Sequence, residues 1–550
     1  MENSRVRLPK WIIPIAIGTA SFFMIFDARI LDVSNITWLH RFETSTYYLG
    51  WQFYRNSPWT FPIGLNPNYG LELSNSIVYS DSIPLLAMFF KLISRMLPES
   101  FQYFGPWLLA CLILQATFAW KIFSLFSRNT TILALSSAFF AFAPPFLCRT
   151  VTHFGLAAHF LILAALYLNL RGQKPGDPVR WALLVAVAPL IHGYIFAMVF
   201  LLWVADLLKR AMNENGSTTA ILVEFYVGML FQFLVLWQAG FFSVGSSLGE
   251  GGFGNMRMHI LSLFDPSFTS YVLRPFSSSR DEFEGFNYLG LGGIFALVFA
   301  IALCWKQKAI PIQLARKHFP LLGVLLLLTL FALSNRIGIG QYNLTIDLPS
   351  WILDLVGPFR ASGRMFWPAF YSIQILTILI IIRQMRAISA IVVIGVSLLL
   401  QIADGSAGWL KIREMQDTSS SPPGSQWPSP FKDKFWDKAP EKYRVIKQLM
   451  PNSLNTTNWE LAIAYYALRH KMATDIVYLV RSDKAKLMRA RENAGKMIEG
   501  GSFERDTLYI LDRNVFSELS KKKTLGKNKL KIIDGYYVLE PDARREPLNP

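Results

Sequence analysis

The chain alternates long apolar segments with short basic ones, a pattern typical of proteins with many membrane-spanning helices. A helix needs about 20 apolar residues to cross roughly 30 Å of hydrocarbon, and somewhat fewer when neighbouring helices shield its ends. By this criterion the sequence predicts eleven spans, near residues 11–27, 104–126, 130–147, 154–170, 180–192, 193–208, 219–240, 287–305, 319–334, 366–383 and 388–403.

The basic residues predict the orientation of these spans. With the N-terminus in the cytoplasm, every inner loop carries Lys or Arg, from Lys121 and Arg128 to Arg383 and Arg386. The first apolar stretch follows a basic start but offers no small-x-small cleavage site, so we expect it to remain as a signal anchor. The expected location is the bacterial cytoplasmic (inner) membrane.

Three of the predicted outer segments are long, residues 28–103, 241–286 and 335–365. They are too aromatic to be disordered, and loops of this length usually bind ligands or carry out catalysis. If the protein is an enzyme, its site should lie in these segments.

The C-terminal part has a different character. Pro and Ser within residues 404–430 indicate a linker. Beyond it, residues 431–550 alternate β-type runs with helical patterns, and Asp534-Gly535 predicts a hairpin turn. The expected fold class is therefore an all-α polytopic membrane domain over residues 1–403 with a small α/β C-terminal extracytoplasmic domain.

Composition excludes several other classes. The 550 residues are 52% hydrophobic with a mean hydropathy of +0.32, which is too apolar for one soluble core of this length. The net charge of +17 comes mainly from short loops and the last 150 residues, so we expect no nucleic-acid partner. The three cysteines form no CxxC pair, and no GxxxxGK[ST] motif occurs, so neither a zinc site nor a P-loop nucleotide site is predicted.

Residues 47–70, YYLGWQFYRNSPWTFPIGLNPNYG, combine aromatic rings with prolines that forbid a continuous helix. Tyr and Trp rings favour the headgroup level of a membrane. We expect this stretch to lie along the outer membrane surface as a bent, partly helical platform, with polar groups such as Arg55, Asn66 and Asn68 threaded through it.

An acidic residue in a long first outer loop, many spans and an outer C-terminal domain resemble the GT-C superfamily of glycosyltransferases, which use polyprenyl-phosphate-linked sugars. The run from YYLGWQFYRNSPWTFPIGLNPNYG through SIVYSDSIPLLA, with EGFNYLGLGG and GPFRASGRMFWP later, looks more closely like an uncharacterised bacterial membrane family of unknown function. This likeness covers most of residues 20–403. Where that family has Gly-Asp before the LGW motif, this chain has Phe42-Glu43, which keeps the carboxylate on a longer side chain.

The resemblance to GT-C enzymes implies transfer of a sugar from a polyprenyl-phosphate donor to a cell-surface glycan, lipid or protein at the outer face of the membrane. A carboxylate would activate the acceptor hydroxyl, and we expect Glu43 or Asp81 in this role. Cationic and polar groups would bind the donor phosphate. The candidates are Arg55, Asn66, Asn68, Arg149, His153, His192, Glu284, Arg360 and Arg364.

These residues also have structural interpretations. Glu43 could pair with Arg41, and Asp81 could cap the helix that follows it. Interhelical hydrogen bonding or anchoring at the membrane edge would suit His153, His192, Arg360 and Arg364.

No metal site is predicted, because HExxH and DxD are absent. Some GT-C relatives use a divalent cation, so the resemblance keeps a divalent cation as a candidate cofactor.

Two other functions compete with glycosyl transfer. One is a transporter or flippase of a lipid-linked saccharide, although the mid-span polar residues are mild ones, such as Gln115, Gln232 and Gln374. The other is a non-catalytic assembly protein that recruits an envelope-protein partner through residues 431–550.

Overall fold

The computed structural model of the protein describes residues 9–212, 217–243, 253–276, 280–307, 317–339, 342–416, 426–452, 458–479, 483–522 and 526–542. Within these residues the chain is mostly helical, with a small β-sheet near the C-terminus. Most of the Pro- and Ser-rich stretch that predicts a linker, residues 417–425, lies outside the described residues.

The helices of the first 416 residues follow in chain order as α1 Ile12–Ile25, α2 Phe42–Asn56, α3 Pro84–Leu92, α4 Phe104–Phe123, α5 Thr130–Ala141, α6 Pro144–Arg149, α7 Phe160–Leu170, α8 Asp177–Val187, α9 Gly193–Ala211, α10 Thr218–Ala239, α11 Leu291–Gln307, α12 Phe319–Leu333, α13 Ser350–Val356, α14 Trp367–Gln384 and α15 Ala387–Met415. A hairpin of β1 Arg336–Ile339 and β2 Tyr342–Thr345 lies between α12 and α13.

Four helical stretches of the described residues are long and apolar enough to cross a membrane: Phe104–Phe123, Thr218–Ala239, Ser362–Gln384 and Ala387–Met415. They indicate a membrane protein. The prediction of eleven spans is not supported, because the other apolar helices are shorter, as α1 and α5 show with 14 and 12 residues. A predicted span such as residues 130–147 ends early because α5 stops at Ala141 and Pro144 begins a new helix.

The last candidate span also differs from its prediction. Helix α15 continues through residues 404–415, which were expected to belong to the linker. Asp404, within the stretch predicted as linker, is buried and accepts hydrogen bonds from the backbone N–H groups of Tyr271 at 2.9 Å and Val272 at 3.1 Å. Because these donors satisfy its carboxylate, the helix does not need to reach water there.

Packing divides the chain into two compact units. Unit 1 contains residues 1–38, 102–233 and 248–420, and unit 2 contains residues 39–101, 234–247 and 421–550. The first outer segment therefore packs largely with the C-terminal residues, whereas the sequence predicted it as a loop of the membrane domain.

Unit 1 is built on helices that approach closely. Gly18 lets α1 lie against α4, because a Cβ at this position would come within 2.4 Å of Ile113 Cα. The interior also holds polar side chains that bond to one another. The hydroxyl of Tyr371 lies 2.9 Å from Gln115 Nε2 and 2.7 Å from His159 Nδ1. A mid-span glutamine is thus part of an internal network.

Unit 2 buries the aromatic stretch that was expected to lie on the membrane surface. Trp51, Tyr54 and Tyr69 are fully buried. Of the aromatic side chains in this stretch, only those of Trp59 and Phe61 are largely exposed. The stretch is helical up to Asn56, and prolines follow, as predicted. The rings form a core because segments distant in sequence cover them.

Those distant segments are joined to the first outer segment by backbone hydrogen bonds. Gly64 N–H donates to Gln238 O at 2.8 Å, and Gly70 N–H donates to Thr474 O at 2.8 Å. These bonds fix residues 39–101 to the end of α10 and to the C-terminal domain.

The C-terminal domain contains α16 Lys434–Lys442, β3 Val445–Gln448, α17 Asn458–Arg469, β4 Ala473–Thr474, α18 Lys484–Gly500, β5 Thr507–Leu511, α19 Arg513–Lys521, β6 Lys529–Ile533 and β7 Tyr536–Glu540. The sheet order is β4-β3-β5-β7-β6, with β3 parallel to β4 and β5 and the other pairs antiparallel. The predicted hairpin is confirmed: Asp534 and Gly535 both have positive φ, and Ile533 pairs with Tyr536.

Candidate functional site

Three charged residues of unit 1 meet in a candidate site, and each is delivered by a short element. Arg149 is the last residue of α6. Glu284 lies in the short 3₁₀ helix Arg280–Gly285, and Arg364 lies in another, Ser362–Phe366, that leads directly into α14. Glu284 and Arg364 belong to two of the long predicted outer segments, and Arg149 lies between the predicted spans 130–147 and 154–170.

Both guanidinium groups contact the same carboxylate oxygen. Arg149 Nη1 lies 2.8 Å from Glu284 Oε2, and Arg364 Nε lies 2.6 Å from that oxygen. Arg149 Nη2 also donates to the backbone carbonyls of Phe283 and Glu284, each at 3.3 Å. We call Arg149, Glu284 and Arg364 the charged triad.

The triad is almost closed to solvent, since the side chains of Arg149, Arg364 and Glu284 are 1%, 9% and 14% exposed. Burial alone would raise the pKa of Glu284, but the charges of Arg149 and Arg364 hold it well below its usual range. Burial and the charge of Arg364 lower the pKa of the neighbouring His153 to about 3. At neutral pH these four side chains therefore carry one more positive charge than negative.

Two glycines and an asparagine bring the carboxylate and Arg364 together. A Cβ on Gly363 would come within 2.5 Å of Gly285 Cα, and a Cβ on Gly285 would come within 1.9 Å of Arg257 O. The side-chain amide of Asn287 donates to the carbonyls of Gly285 at 3.0 Å and Gly363 at 3.1 Å. Only residues without a Cβ permit this close approach of backbones.

Tyr194 forms one wall of the site. Its hydroxyl accepts a hydrogen bond from Ala361 N–H at 2.8 Å, and the Arg364 guanidinium lies 4.8 Å from the centre of its ring. His192 caps the helix that carries Tyr194, because its Nδ1 accepts from Tyr194 N–H at 3.1 Å. His192 is therefore adjacent to the triad through Tyr194.

An anion is the ligand that this arrangement suits. Two planar guanidiniums share one carboxylate, and Arg149 Nε is buried with no hydrogen-bond partner among the described residues. Arg donors recognise phosphate or carboxylate groups with several hydrogen bonds at once.

Comparison with known protein families gives a match over most of the chain. The model described as domain of unknown function (DUF6311) matches residues 15–406, and that of the DUF6311 C-terminal domain matches residues 435–541. The chain belongs to the DUF6311 family. No curated protein and no solved structure matches it.

The two DUF6311 segments that were singled out in the sequence, EGFNYLGLGG and GPFRASGRMFWP, meet in the site. They supply Glu284, Gly285 and Asn287 from one side and Gly363 and Arg364 from the other. The structure thus brings together Arg149, His153, His192, Glu284 and Arg364 of the predicted site residues.

Arg360 does not join the triad. It is half-buried, and no hydrogen bond or ion pair to another described residue holds its side chain. The residues between it and Arg364 include a non-helical backbone at Ala361, so the two guanidiniums do not follow one regular helix face.

The two predicted catalytic carboxylates of this DUF6311 protein lie in unit 2. Glu43 is half-buried in the first turn of α2. Asp81 has a positive φ of 49° and lies two residues before Ile83, the N-cap residue of α3. Asp81 is therefore not the N-cap residue of this helix.

The other three predicted binding residues of unit 2 have structural contacts. Arg55 donates to four backbone carbonyls, among them Pro98 O at 2.7 Å and Ser94 O at 2.8 Å. Asn66 is buried, and its amide donates to Gly50 O at 3.1 Å. The backbone carbonyl of Asn68 accepts from Thr474 N–H at 3.0 Å. These contacts connect separate segments of unit 2.

Sequence reasoning missed Tyr194 and Asn287. Both are uncharged, and both lie within two residues of the start of a predicted span, Tyr194 in 193–208 and Asn287 in 287–305. Only their positions in the sequence could have indicated a role. Tyr194 directly follows His192-Gly193, and Asn287 lies two residues after Gly285 in the segment EGFNYLGLGG.

Within the part of the chain that the structure describes, no group of three or more His, Cys, Asp or Glu side chains is placed to hold a metal ion.

Proposed function

We propose that this protein is a membrane glycosyltransferase that takes a sugar from a polyprenyl-phosphate donor and attaches it to a cell-surface glycan, lipid or protein. One observation carries the proposal: Arg149 and Arg364 both bond to a single oxygen of Glu284 in a buried site. A buried cluster with excess positive charge is stabilised by an anion. The phosphate of a lipid-linked sugar has this charge.

The chemistry of the transfer suits such a cluster. An acceptor hydroxyl attacks the anomeric carbon of the sugar, the bond from that carbon to the phosphate oxygen breaks, and polyprenyl phosphate leaves with an added negative charge. Guanidinium donors fixed in a site of low dielectric stabilise this charge as it develops. Arg149 and Arg364 are the residues assigned to the leaving phosphate.

A carboxylate must take the proton of the acceptor hydroxyl. The proposal keeps Glu43 as the first candidate and Asp81 as the second, on the basis of the GT-C resemblance. Neither residue is assigned to phosphate binding.

The apolar helices support a lipid-linked substrate. Four of them are suited to a membrane, and Thr218–Ala239 has little of its surface buried within the protein. A polyprenyl chain can remain in the bilayer beside such helices. The proposal includes a GT-C-like arrangement in the bacterial inner membrane, with the N-terminus in the cytoplasm and the C-terminal domain outside.

The first test is the identity of lipids that remain bound to the protein after purification in detergent. Native mass spectrometry of the wild type is expected to show polyprenyl phosphate or its sugar conjugate. Arg364→Ala should lose most of this lipid, whereas the matched control Arg180→Ala should retain it. Arg180 is suitable because it is half-exposed and pairs with Asp177 away from the triad.

Two results would count against the proposal. One is a wild-type protein free of lipid phosphate under conditions in which a known polyprenyl-phosphate glycosyltransferase retains its own donor. The other is equal lipid retention by Arg364→Ala and Arg180→Ala.

The catalytic assignment has a separate test. In membranes supplied with donor and acceptor, Glu43→Gln is expected to abolish transfer while lipid retention stays as in the wild type. Unchanged transfer by both Glu43→Gln and Asp81→Asn would exclude both carboxylates as the base.

A further inference from the structure

Unit 2 contains a cleft of about 700 Å³, and no residue of the charged triad is among the residues that line it. Its walls come from the first outer segment, from residues 237–243 and from helix α18. The hydrogen bonds that join these three segments, such as Ser76 Oγ to Gly240 O at 3.1 Å, hold the walls in place. The cleft is large enough for a ligand of two or three sugar rings.

An unsatisfied amide lines this cleft. Asn75 is 3% exposed, and neither its side-chain nitrogen nor its side-chain oxygen has a hydrogen-bond partner among the described residues. Buried amides in proteins nearly always have partners, and an amide without one needs a donor and an acceptor from elsewhere. A hydroxyl group supplies both.

Aromatic rings form the opposite part of the lining. Trp237 and Phe242 both border the cleft, and Trp237 is held by an edge-to-face contact with Phe61 at 5.0 Å between ring centres. The C–H faces of pyranose rings pack on aromatic rings while their hydroxyls bond to amides and charged groups. The cleft offers both kinds of contact.

The charged groups in the cleft balance each other. The described lining has one acid, Glu72, and one base, Lys486, whose Nζ donates to Ser74 Oγ at 2.7 Å. A lining with equal numbers of acidic and basic groups does not favour an anion such as a phosphate. An alkyl chain would leave Asn75 without partners.

We propose that this cleft binds a neutral saccharide, with Asn75 bonding to its hydroxyls and Trp237 packing on a ring face. The inference does not rest on the proposed function, because it concerns binding alone and involves no residue of the triad.

The test uses the full-length protein in detergent, labelled with a fluorophore, on an array of neutral oligosaccharides built from glucose, galactose, mannose and N-acetylglucosamine. The same array carries anionic sugars and phospholipid-coated spots for comparison. The wild type is expected to bind at least one of them. Asn75→Leu, which keeps the side-chain volume but removes both polar atoms, should weaken that binding about tenfold or more. Trp237→Ala should do the same, whereas Trp237→Phe should retain most of the affinity.

Two controls separate binding from folding. Asn514→Leu changes an exposed asparagine of the same unit and should leave binding unaltered. Thermal unfolding should show that Asn75→Leu is at least as stable as the wild type, because the substitution removes an unsatisfied amide.

Three outcomes would overturn the inference: no binding to any oligosaccharide on the array, equal binding by the wild type and Asn75→Leu, or binding confined to anionic sugars or to phospholipid-coated spots. Lipid-phosphate retention by Asn75→Leu should equal that of the wild type. Loss of saccharide binding with retained lipid therefore distinguishes this cleft from the triad.

Discussion

Arg149 Nη1 lies 2.8 Å from Glu284 Oε2, in a contact that joins the end of a short helix to a 3₁₀ helix 135 residues later. A buried ion pair holds two segments together only while both partners are present, because removal of one leaves the other charge without compensation. The architecture of unit 1 around the site therefore depends on one carboxylate.

Glu284→Gln is expected to destabilise unit 1 strongly. Neutralising this side chain leaves two buried guanidiniums without their carboxylate, and loss of one partner from a buried pair typically costs about 3–5 kcal/mol. Thermal unfolding in detergent should show a clear drop in Tm. The control is Glu99→Gln, because Glu99 is 81% exposed and its pair with Arg469 is worth at most about 1 kcal/mol. Equal stability of the two variants would contradict the role given to Glu284.

Gly285→Ala should disrupt the site more than the same change elsewhere. The new methyl group would lie 1.9 Å from Arg257 O, so the backbone would have to move by an ångström or more. Gly323→Ala is the matched control, since no atom lies within 4 Å of a Cβ there and alanine favours a helix. The expected result is a lowered Tm and weakened lipid retention for Gly285→Ala only. A variant with normal properties at position 285 would show that the close approach of backbones is dispensable.

Tyr194→Phe tests the wall of the site. The change keeps the ring beside Arg364 but removes the hydroxyl that accepts from Ala361 N–H, and a buried donor without its acceptor costs about 1–3 kcal/mol. A decrease of Tm is expected, and Tyr226→Phe, at an exposed position, should have no effect. If both variants melt alike, the Ala361 contact contributes nothing to stability.

Asp475 should make the stability of unit 2 dependent on pH. Burial and the negative charge of Glu72 raise the pKa of Asp475 to about 8, against about 4 in an unfolded chain. The folded state therefore holds a proton that the unfolded state releases between these values, and stability falls as the pH rises through this window.

Asp475→Asn should remove that dependence. The amide oxygen can still accept from Gln448 N–H, the contact that Asp475 Oδ1 makes at 2.8 Å. Tm measured at pH 5, 6.5 and 8 should decline in the wild type and stay nearly level in the variant, which should be the more stable of the two at pH 8. Asp437→Asn, at an exposed position, should follow the wild type. A wild-type Tm that rises over this range would refute the prediction.

Local signals in the sequence were sufficient for some features. The Asp534-Gly535 hairpin was predicted because an Asp-Gly pair readily adopts the two positive φ values of a tight turn, and both residues have them. Arg149, Glu284 and Arg364 were candidates because they are ionisable residues of predicted outer loops, and the structure brings them together. Their pairing on one oxygen could not be foreseen, because it depends on the close packing at Gly285 and Gly363.

Other features depend on contacts between distant residues and gave no local signal. The rings of Trp51 and Tyr69 have the composition of a membrane-surface platform, yet they are buried because the C-terminal domain binds beside Gly70. The length of the apolar stretches likewise overestimated the number of spans. The sequence does not show whether a carboxylate such as Asp404 will be buried and satisfied by hydrogen bonds, which lets its helix continue.

The composition of unit 2 also has a consequence for biosynthesis. Its first part, residues 39–101, leaves the ribosome early. Some 320 further residues must then be synthesised before the part that begins at residue 421. At a synthesis rate of about 5–20 residues per second, the buried rings of α2 wait roughly 15 to 60 seconds for the strands that cover them. During that interval they are exposed apolar surface, a natural substrate for a chaperone or for the bilayer itself. Truncation near the C-terminus should therefore harm the beginning of the chain as much as its end.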